Sequence, residues 1–374
     1  MVNQRFRVCL VTFLFEKAFT TPLANLQKVL SFTAQDVFVV TGGADNFVSK
    51  TISKNKIYHI NYSSQKRSVF YRLMFYLQMQ IRIAITLAKL SRSVDLYIFF
   101  MEDSPGFPLL IVKSLRKNVL LLIPSATTQT YNSPISKLLT ALKYLSYAFS
   151  DCIVVYSTNI VKQWGLMRYQ NKLLFGHEHF MDFNNFRICT AFKNRKKLVG
   201  YIGRLSSEKG VENFLASIPN ILKHLPDQNF LIGGSGELLD LIEFQLKKMN
   251  LQQKVTLTGW INHDAMYAYL NQFSLLVVPS YTEGLPNVIL EAMACGTPVL
   301  ASPVGAVPDI IQNGVNGFLL QSNQPQDIAN EVISLLNQPA LLETVGETAN
   351  YWVHANFSIE KTVKIWQDLF AKLQ

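Results

Sequence analysis

The amino-acid sequence predicts an α/β protein made of two doubly wound domains, each a parallel sheet covered by helices. Short apolar runs alternate with helical patterns along the whole chain, which is the order that such sheets require. The chain has 374 residues, 49% of them hydrophobic, which is enough material for two separate cores. A polar stretch at residues 180–197 divides the two halves and is the best candidate for a linker.

The apolar runs and the helical periodicity locate the elements of both halves. Apolar runs predict buried parallel strands at residues 7–13, 37–40, 96–101, 119–123 and 153–156, and again at 198–202, 230–232, 254–257, 275–278 and 298–301. Helices are predicted at residues 22–31, 68–91, 105–116, 134–149 and 158–166, and again at 208–223, 237–248, 263–271, 287–295, 325–337 and 359–373. Ligands of such sheets bind beyond the carboxyl ends of the strands, so the active site is expected in the cleft between the domains.

The charge of the chain is distributed unevenly. Its net charge is +10 at pH 7, to which residues 1–195 contribute +15 and residues 196–374 contribute −5. Asp or Glu is absent from the sequence between Asp45 and Asp95, whereas Lys and Arg are frequent there. This asymmetry predicts an anionic partner for the N-terminal half.

The sequence argues against several classes of protein. It contains no run of eighteen apolar residues and no secretory signal pattern at its start, so we expect a cytoplasmic protein. The positive charge alone suggests nucleic-acid binding, but no motif for that function is present and we do not expect it. The four cysteines have no metal-binding spacing and are interpreted as buried, reduced thiols: Cys9, Cys152, Cys189 and Cys295.

The most informative segment is residues 281–299, where Glu283 and Glu291 stand eight positions apart around a Gly-Leu-Pro-Asn turn. Asn287 is a good N-cap, residues 288–295 follow as a helix, and Gly296 stands where a C′ glycine would end it. Glu283 then lies in the loop before the helix, and Glu291 lies one turn inside. The backbone N–H groups of the first turn form an anion site for a diphosphate, and the carboxylates can hold sugar hydroxyls. The segment therefore predicts a nucleotide-sugar enzyme.

This segment resembles the E-x7-E signature of family-4 glycosyltransferases, which are retaining enzymes of the GT-B fold. Four other segments resemble motifs of that family in the same order. Residues 201–210 resemble its phosphate-binding G-R-x4-K-G segment, 233–237 its G-x-G-E turn, 255–261 its strand that ends near the nucleotide base, and 313–320 its N-G-x-x-G-x-L hairpin. All five motifs lie within residues 196–320, and the N-terminal half matches in general layout only.

The resemblance implies a domain organisation. Residues 1–190 are expected to form an acceptor-binding Rossmann-like domain, and residues 196–356 the Rossmann-like domain that binds the nucleotide-sugar donor. Residues 357–374 are expected to cross back to the first domain.

The resemblance also assigns roles in the donor site. Because sugar transfer leaves negative charge on the diphosphate, the protein must supply cations there, and the resemblance places Arg204 and Lys209 at the phosphates. Glu283 is expected to contact the transferred sugar and Glu291 the ribose. The other donor-binding residues that it implies are Gly203, Gly234, Gly236, Glu237, Ile261, Gly284, Leu285, Asn287 and Val288. Either Ile261 or Trp260 is expected to pack on the nucleotide base, and Trp260 is alternatively an ordinary core residue. The glycines of residues 233–236 alternatively form a plain tight turn with no role in binding.

Neither a bound metal ion nor a cofactor is expected in this protein. The sequence has no Asp-x-Asp motif, GT-B enzymes generally work without a divalent metal, and the resemblance implies that the two basic residues replace it. The nucleotide sugar is a co-substrate rather than a cofactor. In the mechanism proposed for the family, the leaving diphosphate helps to deprotonate the acceptor hydroxyl, so no protein nucleophile is required.

The acceptor side departs from the family pattern. Many relatives carry a glycine pair after the first strand and a histidine after a middle strand of the first domain, and neither stands here. Asp103, Ser125 and Thr127 are the candidates for a polar role near the acceptor. His177 and His179 are interpreted as satisfied loop histidines, with a position facing the cleft as the alternative, since an H-x-H pair alone does not define a metal site.

The predicted helix at residues 68–91 bears on the acceptor. Its longest uncharged piece, residues 73–81, is too short to span a bilayer. It either lies on an anionic membrane surface or packs between the sheet and solvent. Because the basic half is also the acceptor half, we expect an acceptor that is a glycan or a lipid-linked precursor at the inner face of the membrane.

These observations predict a retaining, metal-independent hexosyltransferase that uses a UDP or GDP sugar. The first alternative is a non-catalytic, nucleotide-sugar-binding subunit, which the missing histidine suggests. A phosphorylase or a sugar-nucleotide epimerase on the same fold is a further alternative, and no motif supports either one.

Overall fold

The computed structural model describes residues 6–13, 20–43, 56–61, 69–100, 106–124 and 134–373. The chain divides into two compact units, the first unit comprising residues 1–180 and 359–374 and the second unit residues 181–358. The division therefore falls between Phe180 and Met181, at the start of the predicted linker, and nearly all of that polar stretch is part of the second unit.

The described strands of the first unit form one parallel sheet in the order β3-β2-β1-β4-β5-β6-β7. Their bounds are β1 Arg7–Phe13, β2 Asp36–Gly43, β3 Ile57–Asn61, β4 Leu96–Phe100, β5 Asn118–Ile123, β6 Cys152–Val155 and β7 Leu173–Phe175. The central strands β4 and β6 are buried at every position, as expected for strands that are covered on both faces.

The helices between these strands complete the first unit. They are α1 Thr20–Thr33, α2 Val69–Leu90, α3 Gly106–Ser114, α4 Pro134–Phe149 and α5 Thr158–Gln163, and a 3₁₀ segment, Leu166–Lys172, follows. Helix α2 packs against α3, and α3 packs against α4. Among the described residues, every helix is too short or too polar to cross a membrane.

The second unit is a parallel sheet in the order β10-β9-β8-β11-β12-β13. Its strands are β8 Leu198–Ile202, β9 Asn229–Gly233, β10 Val255–Gly259, β11 Leu275–Val278, β12 Val299–Ala301 and β13 Phe318–Leu319. Its helices are α6 Val211–His224, α7 Leu239–Lys248, α8 His263–Leu270, α9 Asn287–Ala294, α10 Val307–Ile310, α11 Pro325–Leu336 and α12 Pro339–Asn356. Two parallel sheets with intervening helices confirm the predicted α/β, doubly wound class.

The last helix, α13 Ile359–Ala371, belongs to the first unit. Trp366 is fully buried in the core of that unit, and its indole Nε1 donates to the carbonyl oxygen of His177 at 2.9 Å. The Phe370 ring meets Phe6 edge to face, with the ring centroids 5.6 Å apart. The chain therefore returns to the first unit, as the sequence predicted.

Two expectations about local structure were wrong. Residues 313–320 do not form a hairpin, because Asn313–Gly317 is a turn closed by Gly314 N–H donating to the carbonyl oxygen of Gly317 at 2.8 Å. The strand that follows, β13, pairs in parallel with β12. Cys189 is exposed, whereas Cys9, Cys152 and Cys295 are buried as expected.

Candidate donor-binding site

The sheet of the second unit has a topological switch point between β8 and β11. Strands β9 and β10 extend from one side of β8, and β12 and β13 extend from the other side of β11. Ligands of doubly wound sheets bind beyond the carboxyl ends of the strands at such a point. The loops that follow β8 and β11 carry Arg204, Lys209 and Glu283, so the topology brings these three predicted residues to one end of the sheet.

The two loops at the switch point are in direct contact. Gly210 has φ +67°, and a Cβ there would overlap the carbonyl oxygen of Pro279. A glycine is therefore required both for the backbone conformation and for the close approach. Tyr281 N–H donates to the carbonyl oxygen of Glu208 at 2.8 Å and ties the loops together a second time.

The prediction of one helix over residues 208–223 was wrong at its start, because Gly210 interrupts it. Residues Ser207–Lys209 form a single 3₁₀ turn, and the left-handed Gly210 separates this turn from α6, which begins at Val211. Lys209 consequently lies in the loop rather than on the helix.

Lys209 and Glu283 form an ion pair at this end of the sheet. The Lys209 Nζ lies 2.8 Å from Glu283 Oε1, and both side chains are mostly buried. Ser280 Oγ donates to the same carboxylate oxygen at 2.7 Å. Burial strengthens such a pair relative to one in water and leaves less freedom to both side chains. The site thus holds a cation and a carboxylate side by side, one suited to a phosphate and the other to sugar hydroxyls.

Arg204 stands at the more open side of the same site. Its Nε lies 3.7 Å from Glu208 Oε1, and the side chain is exposed. Ser206 Oγ donates to that Glu208 oxygen at 2.6 Å. Burial raises the pKa of Glu208, but the Ser206 hydrogen bond and the nearby Arg204 and Lys209 outweigh it, so the pKa is lowered overall. Glu208 therefore lies near both Arg204 and Lys209, and it was not among the site residues predicted from the sequence.

The turn after β9 packs on the loop that carries Arg204. Gly203 N–H donates to Gly233 O at 3.0 Å, and Leu205 N–H donates to Ser235 O at 2.9 Å. Gly234 has φ +138°, and a Cβ there would overlap the carbonyl oxygen of Gly203. This glycine therefore permits the close approach of two protein loops. Gly236 follows in the same turn, and its neighbour Glu237 is exposed.

The N-cap of helix α9 lies one residue earlier than the sequence indicated. Pro286 is the N-cap, with φ −74° and ψ 118°, and Asn287 is the first helical residue, so the N-cap assignment to Asn287 was wrong. Proline suits the position because its φ is fixed near this value and it has no N–H to satisfy. The N–H groups of Asn287 and Val288 still lie in the first turn, as an anion site requires. Gly296 has φ +63° and follows the end of the helix, as predicted.

The turn before α9 is held by the loop after β12. Ala306 N–H donates to the carbonyl oxygen of Gly284 at 2.7 Å. Leu285 is buried, which fixes the turn against the core. The predicted donor-binding residues within residues 283–288 thus lie on a well-packed loop and on the first turn of α9.

Glu291 is buried in α9, with 5% of its surface exposed. Its Oε1 lies 2.9 Å from Nε2 of His263, which is in the first turn of α8. The hydrogen bond with Glu291 is the main reason that the pKa of His263 is raised. His263 was not among the residues predicted from the sequence, although it stands only two residues after Ile261, the last residue of the predicted base-binding segment.

The two candidates for the base site differ in exposure. Ile261 is buried, and its side chain lies where a Cβ on Gly233 would be. Trp260 is 78% exposed, so the interpretation of Trp260 as a core residue was wrong. Contact of either side chain with a base stays a prediction.

The acceptor-side candidates Asp103, Ser125 and Thr127 lie outside the described residues. His177 is partly buried in the first unit. His179 is buried there, and its backbone carbonyl accepts from Thr362 Oγ1 at 2.7 Å. Within the described ranges, no group of three or more His, Cys, Asp or Glu side chains is arranged to hold a metal ion.

A parallel sheet with charged loops at its switch point is characteristic of nucleotide-binding α/β domains. Residues 182–352 match the family model of glycosyl transferases group 1. This match spans nearly the whole second unit, which is thus similar to that family. The group 1 identification from the sequence is confirmed, and the narrower family-4 assignment stays a prediction.

Curated relatives match the same part of the chain. An uncharacterized glycosyltransferase of Methanocaldococcus jannaschii is 31% identical over 180 residues, which are 48% of this chain and 46% of that protein. Alpha-D-kanosaminyltransferase of Streptomyces kanamyceticus is 30% identical over 164 residues, which are 44% and 42% of the two chains. The chain thus spans less than half the length of these relatives.

Solved structures share the fold over almost the full chain. Anabaena Alr3699/HepE in complex with UDP and glucose has a TM-score of 0.75 at 16% identity, covering 98% of this chain and 99% of that one. Sucrose-phosphate synthase from Thermosynechococcus elongatus has a TM-score of 0.74 at 19% identity, with the same coverage. Identities this low establish the fold alone, and the predicted GT-B fold is confirmed.

Proposed function

We propose that the protein is a retaining glycosyltransferase that moves a hexose from a nucleoside-diphosphate sugar to an acceptor hydroxyl. The observation that carries this proposal is the Lys209–Glu283 pair at the switch point, with its Nζ–Oε1 distance of 2.8 Å. A donor sugar bound there would meet a cation for its diphosphate and a carboxylate for its ring hydroxyls. The nucleotide ligands of Alr3699/HepE, a protein of the same fold, support a nucleotide-sugar donor here.

The proposed reaction breaks the bond between the anomeric carbon and the diphosphate oxygen. The acceptor oxygen forms the new bond to the anomeric carbon on the same face, and its proton passes to the leaving diphosphate. Arg204 and Lys209 stabilise the negative charge that grows on the phosphates, together with the N–H groups at the start of α9. No metal is needed in this scheme, because the two basic side chains supply the positive charge.

A binding panel tests the donor site. UDP-, GDP- and ADP-glucose are titrated into the wild type, Lys209→Ala and Glu291→Ala, and the unfolding midpoint is followed. A ligand at 100 times its Kd adds about 2.7 kcal/mol to stability. We expect one nucleotide class to stabilise the wild type and not the variants. Lys248→Ala and Glu243→Ala remove exposed charges on α7 and serve as matched controls. Absence of any shift in the wild type would contradict the proposal.

Turnover separates catalysis from binding alone. Release of the nucleoside diphosphate in the presence of an acceptor glycan, unchanged by EDTA, is expected for the metal-independent enzyme, and NMR of the product should give the donor's anomeric configuration. Lys209→Ala is expected to lower kcat by about 10²- to 10³-fold. Donor binding without turnover on any acceptor would favour the alternative, a nucleotide-sugar-binding subunit.

We further propose that the acceptor is a lipid-linked or membrane-associated glycan. The support is helix α2, whose buried side faces the core of the first unit while apolar side chains on its other side are about half exposed. These are Met74, Leu77, Ile81 and Ile85. Arg82 lies beside them and lines an open pocket of about 390 Å³ with His59. An exposed apolar stripe with basic neighbours is the pattern of helices that lie on anionic membranes.

Vesicle flotation tests the membrane contact. We expect the protein to float with vesicles of phosphatidylglycerol and phosphatidylcholine, and less with phosphatidylcholine alone. The Ile81→Glu/Ile85→Glu variant should lose flotation, whereas Phe244→Glu, which changes an exposed apolar side chain on α7 of the second unit, should not. Equal flotation of all proteins, or flotation independent of the anionic lipid, would contradict the proposal.

A further inference from the structure

His263 contacts Glu291, one of the two glutamates of the candidate donor site. Its Nε2 lies 2.9 Å from Glu291 Oε1, which joins the start of α8 to α9 across 28 positions of sequence. The His263 side chain is 58% exposed while that of Glu291 is almost buried. The imidazole therefore covers one oxygen of the carboxylate from the solvent side.

The imidazole is held in place by its surroundings. Asn262 is the N-cap of α8, and its Oδ1 accepts from Asp264 N–H at 3.3 Å, which fixes the backbone at His263. The buried ring of Phe186 lies against the imidazole at a centroid distance of 5.2 Å. A side chain that is fixed by both backbone and packing can fix its hydrogen-bond partner in turn.

The contact has a consequence for the chemistry of Glu291. A carboxylate has two oxygens that accept hydrogen bonds, and His263 contacts only Oε1. A carboxylate that is held through one oxygen cannot rotate freely, so the direction of its other oxygen is set before any ligand arrives. When a ligand hydroxyl donates a hydrogen bond to Oε2, no binding free energy is then lost in ordering the Glu291 side chain.

We propose that His263 is a positioning residue, which holds Glu291 through Oε1 so that Oε2 accepts from a ribose hydroxyl and the site prefers ribonucleotides to deoxyribonucleotides. This inference rests on the proposed nucleotide-sugar donor and adds a reason for the site to select the ribose of the nucleotide. Glu291 remains the residue that touches the ligand, and His263 acts through it.

A purely structural role for His263 is the competing explanation, because the same contact joins α8 to α9. The two explanations differ in which ligands are affected. Loss of a structural tie would weaken every ligand of the site to the same degree. Loss of positioning would weaken only those ligands that carry the hydroxyl.

The test measures the Kd of UDP, GDP and their 2′-deoxy and 3′-deoxy forms by calorimetry. We expect the wild type to bind the ribonucleotide about tenfold or more tighter than at least one deoxy form, as for a hydrogen bond to a charged acceptor. His263→Leu should lose most of this preference by weakening the ribonucleotide alone, and Glu291→Ala should lose it too. His263→Gln retains a side-chain N–H donor and should restore it. His224→Leu, which alters an exposed histidine on α6, is the control.

Steady-state kinetics gives a second readout. Because the ribose takes no part in the bond that breaks, His263→Leu should raise the KM for the donor and leave kcat nearly unchanged. Equal weakening of ribo and deoxy forms by His263→Leu, or no effect of this variant, would overturn the inference and leave the proposed function intact. No binding of any nucleotide by the wild type would overturn both.

Discussion

Arg195 is expected to be a major source of stability for the candidate donor site, although it lies at the C-terminal end of α9, opposite the proposed anion site. Its guanidinium donates to Cys295 O at 2.7 Å and to Thr297 Oγ1 at 2.7 Å. It also donates to the carbonyl oxygens of Thr190 and Phe273, each at 3.2 Å. Cys295 is the C-cap of α9, so the cation lies at the negative end of that helix.

The magnitude follows from the acceptors that would lose their donor. Desolvation lowers the pKa of Arg195 to about 10, so the guanidinium is held away from water and water does not readily replace it. A hydrogen bond to a charged group is worth about 1.5–3 kcal/mol. Counting only the two short bonds, we expect Arg195→Ala to lower the free energy of unfolding by about 3 kcal/mol.

Hydrogen exchange in the full chain is the suitable assay, because proteins of several domains do not unfold in one step. Residues 287–295 of Arg195→Ala should exchange about 100-fold faster than in the wild type, which is the rate ratio for about 3 kcal/mol. Lys196→Ala changes the exposed neighbouring cation and should have no effect. Equal exchange of α9 in both variants would refute the idea that Arg195 anchors this helix.

Two further predictions concern a close backbone approach and a buried acid. Gly234→Ala should abolish nucleotide binding, because its Cβ would meet the facing loop, whereas Gly314→Ala, at φ +76° with open space around it, should bind normally in the same titration. The Glu178 carboxyl accepts from the Tyr156 hydroxyl, and its Oε1 lies 3.8 Å from Nδ1 of His179. Burial raises the pKa of Glu178 to about 7. The folded wild type therefore keeps a proton that the unfolded chain loses above its ordinary pKa of 4.5, and its stability falls between pH 4.5 and 7. Glu178→Gln should remove that fall in thermal unfolding, and parallel pH profiles of the two proteins would contradict it.

The central strands were predicted well because their burial determines their sequence. Strands β1, β8 and β11 have the predicted bounds. Each lies between two other strands of its sheet. Such strands must be apolar on both faces, and a continuous apolar run is a strong signal.

The missed elements lack this signal. Strands β3 and β7 form the edges of the first sheet. The sequence of β3 includes His59 and Asn61, and β7 is only three residues long and only partly buried, so neither strand is a long apolar run. Helix α12 was missed because it carries Gly346 and many polar residues. Gly346 lies where a Cβ would be 2.5 Å from the carbonyl oxygen of Gly296, so this glycine serves the packing of α12 against the end of α9. Tertiary packing of that kind leaves no local pattern.

For the two glutamates of the signature, Glu283 and Glu291, the sequence predicted the positions along the chain but not the side chains that contact them. Their spacing predicted their positions before and inside α9, but each one is paired with a basic side chain from a distant part of the chain, Glu283 with Lys209 and Glu291 with His263. A mostly buried carboxylate needs such a partner to offset the free-energy cost of its burial. The two partners differ in a way that matters for the reaction. In the proposed function Lys209 also binds the diphosphate, so we expect its pair with Glu283 to rearrange when the donor binds, whereas the His263–Glu291 pair can persist throughout. Under that proposal the first pair couples phosphate binding to the position of the carboxylate that contacts the sugar, and the second keeps the nucleotide end of the site fixed.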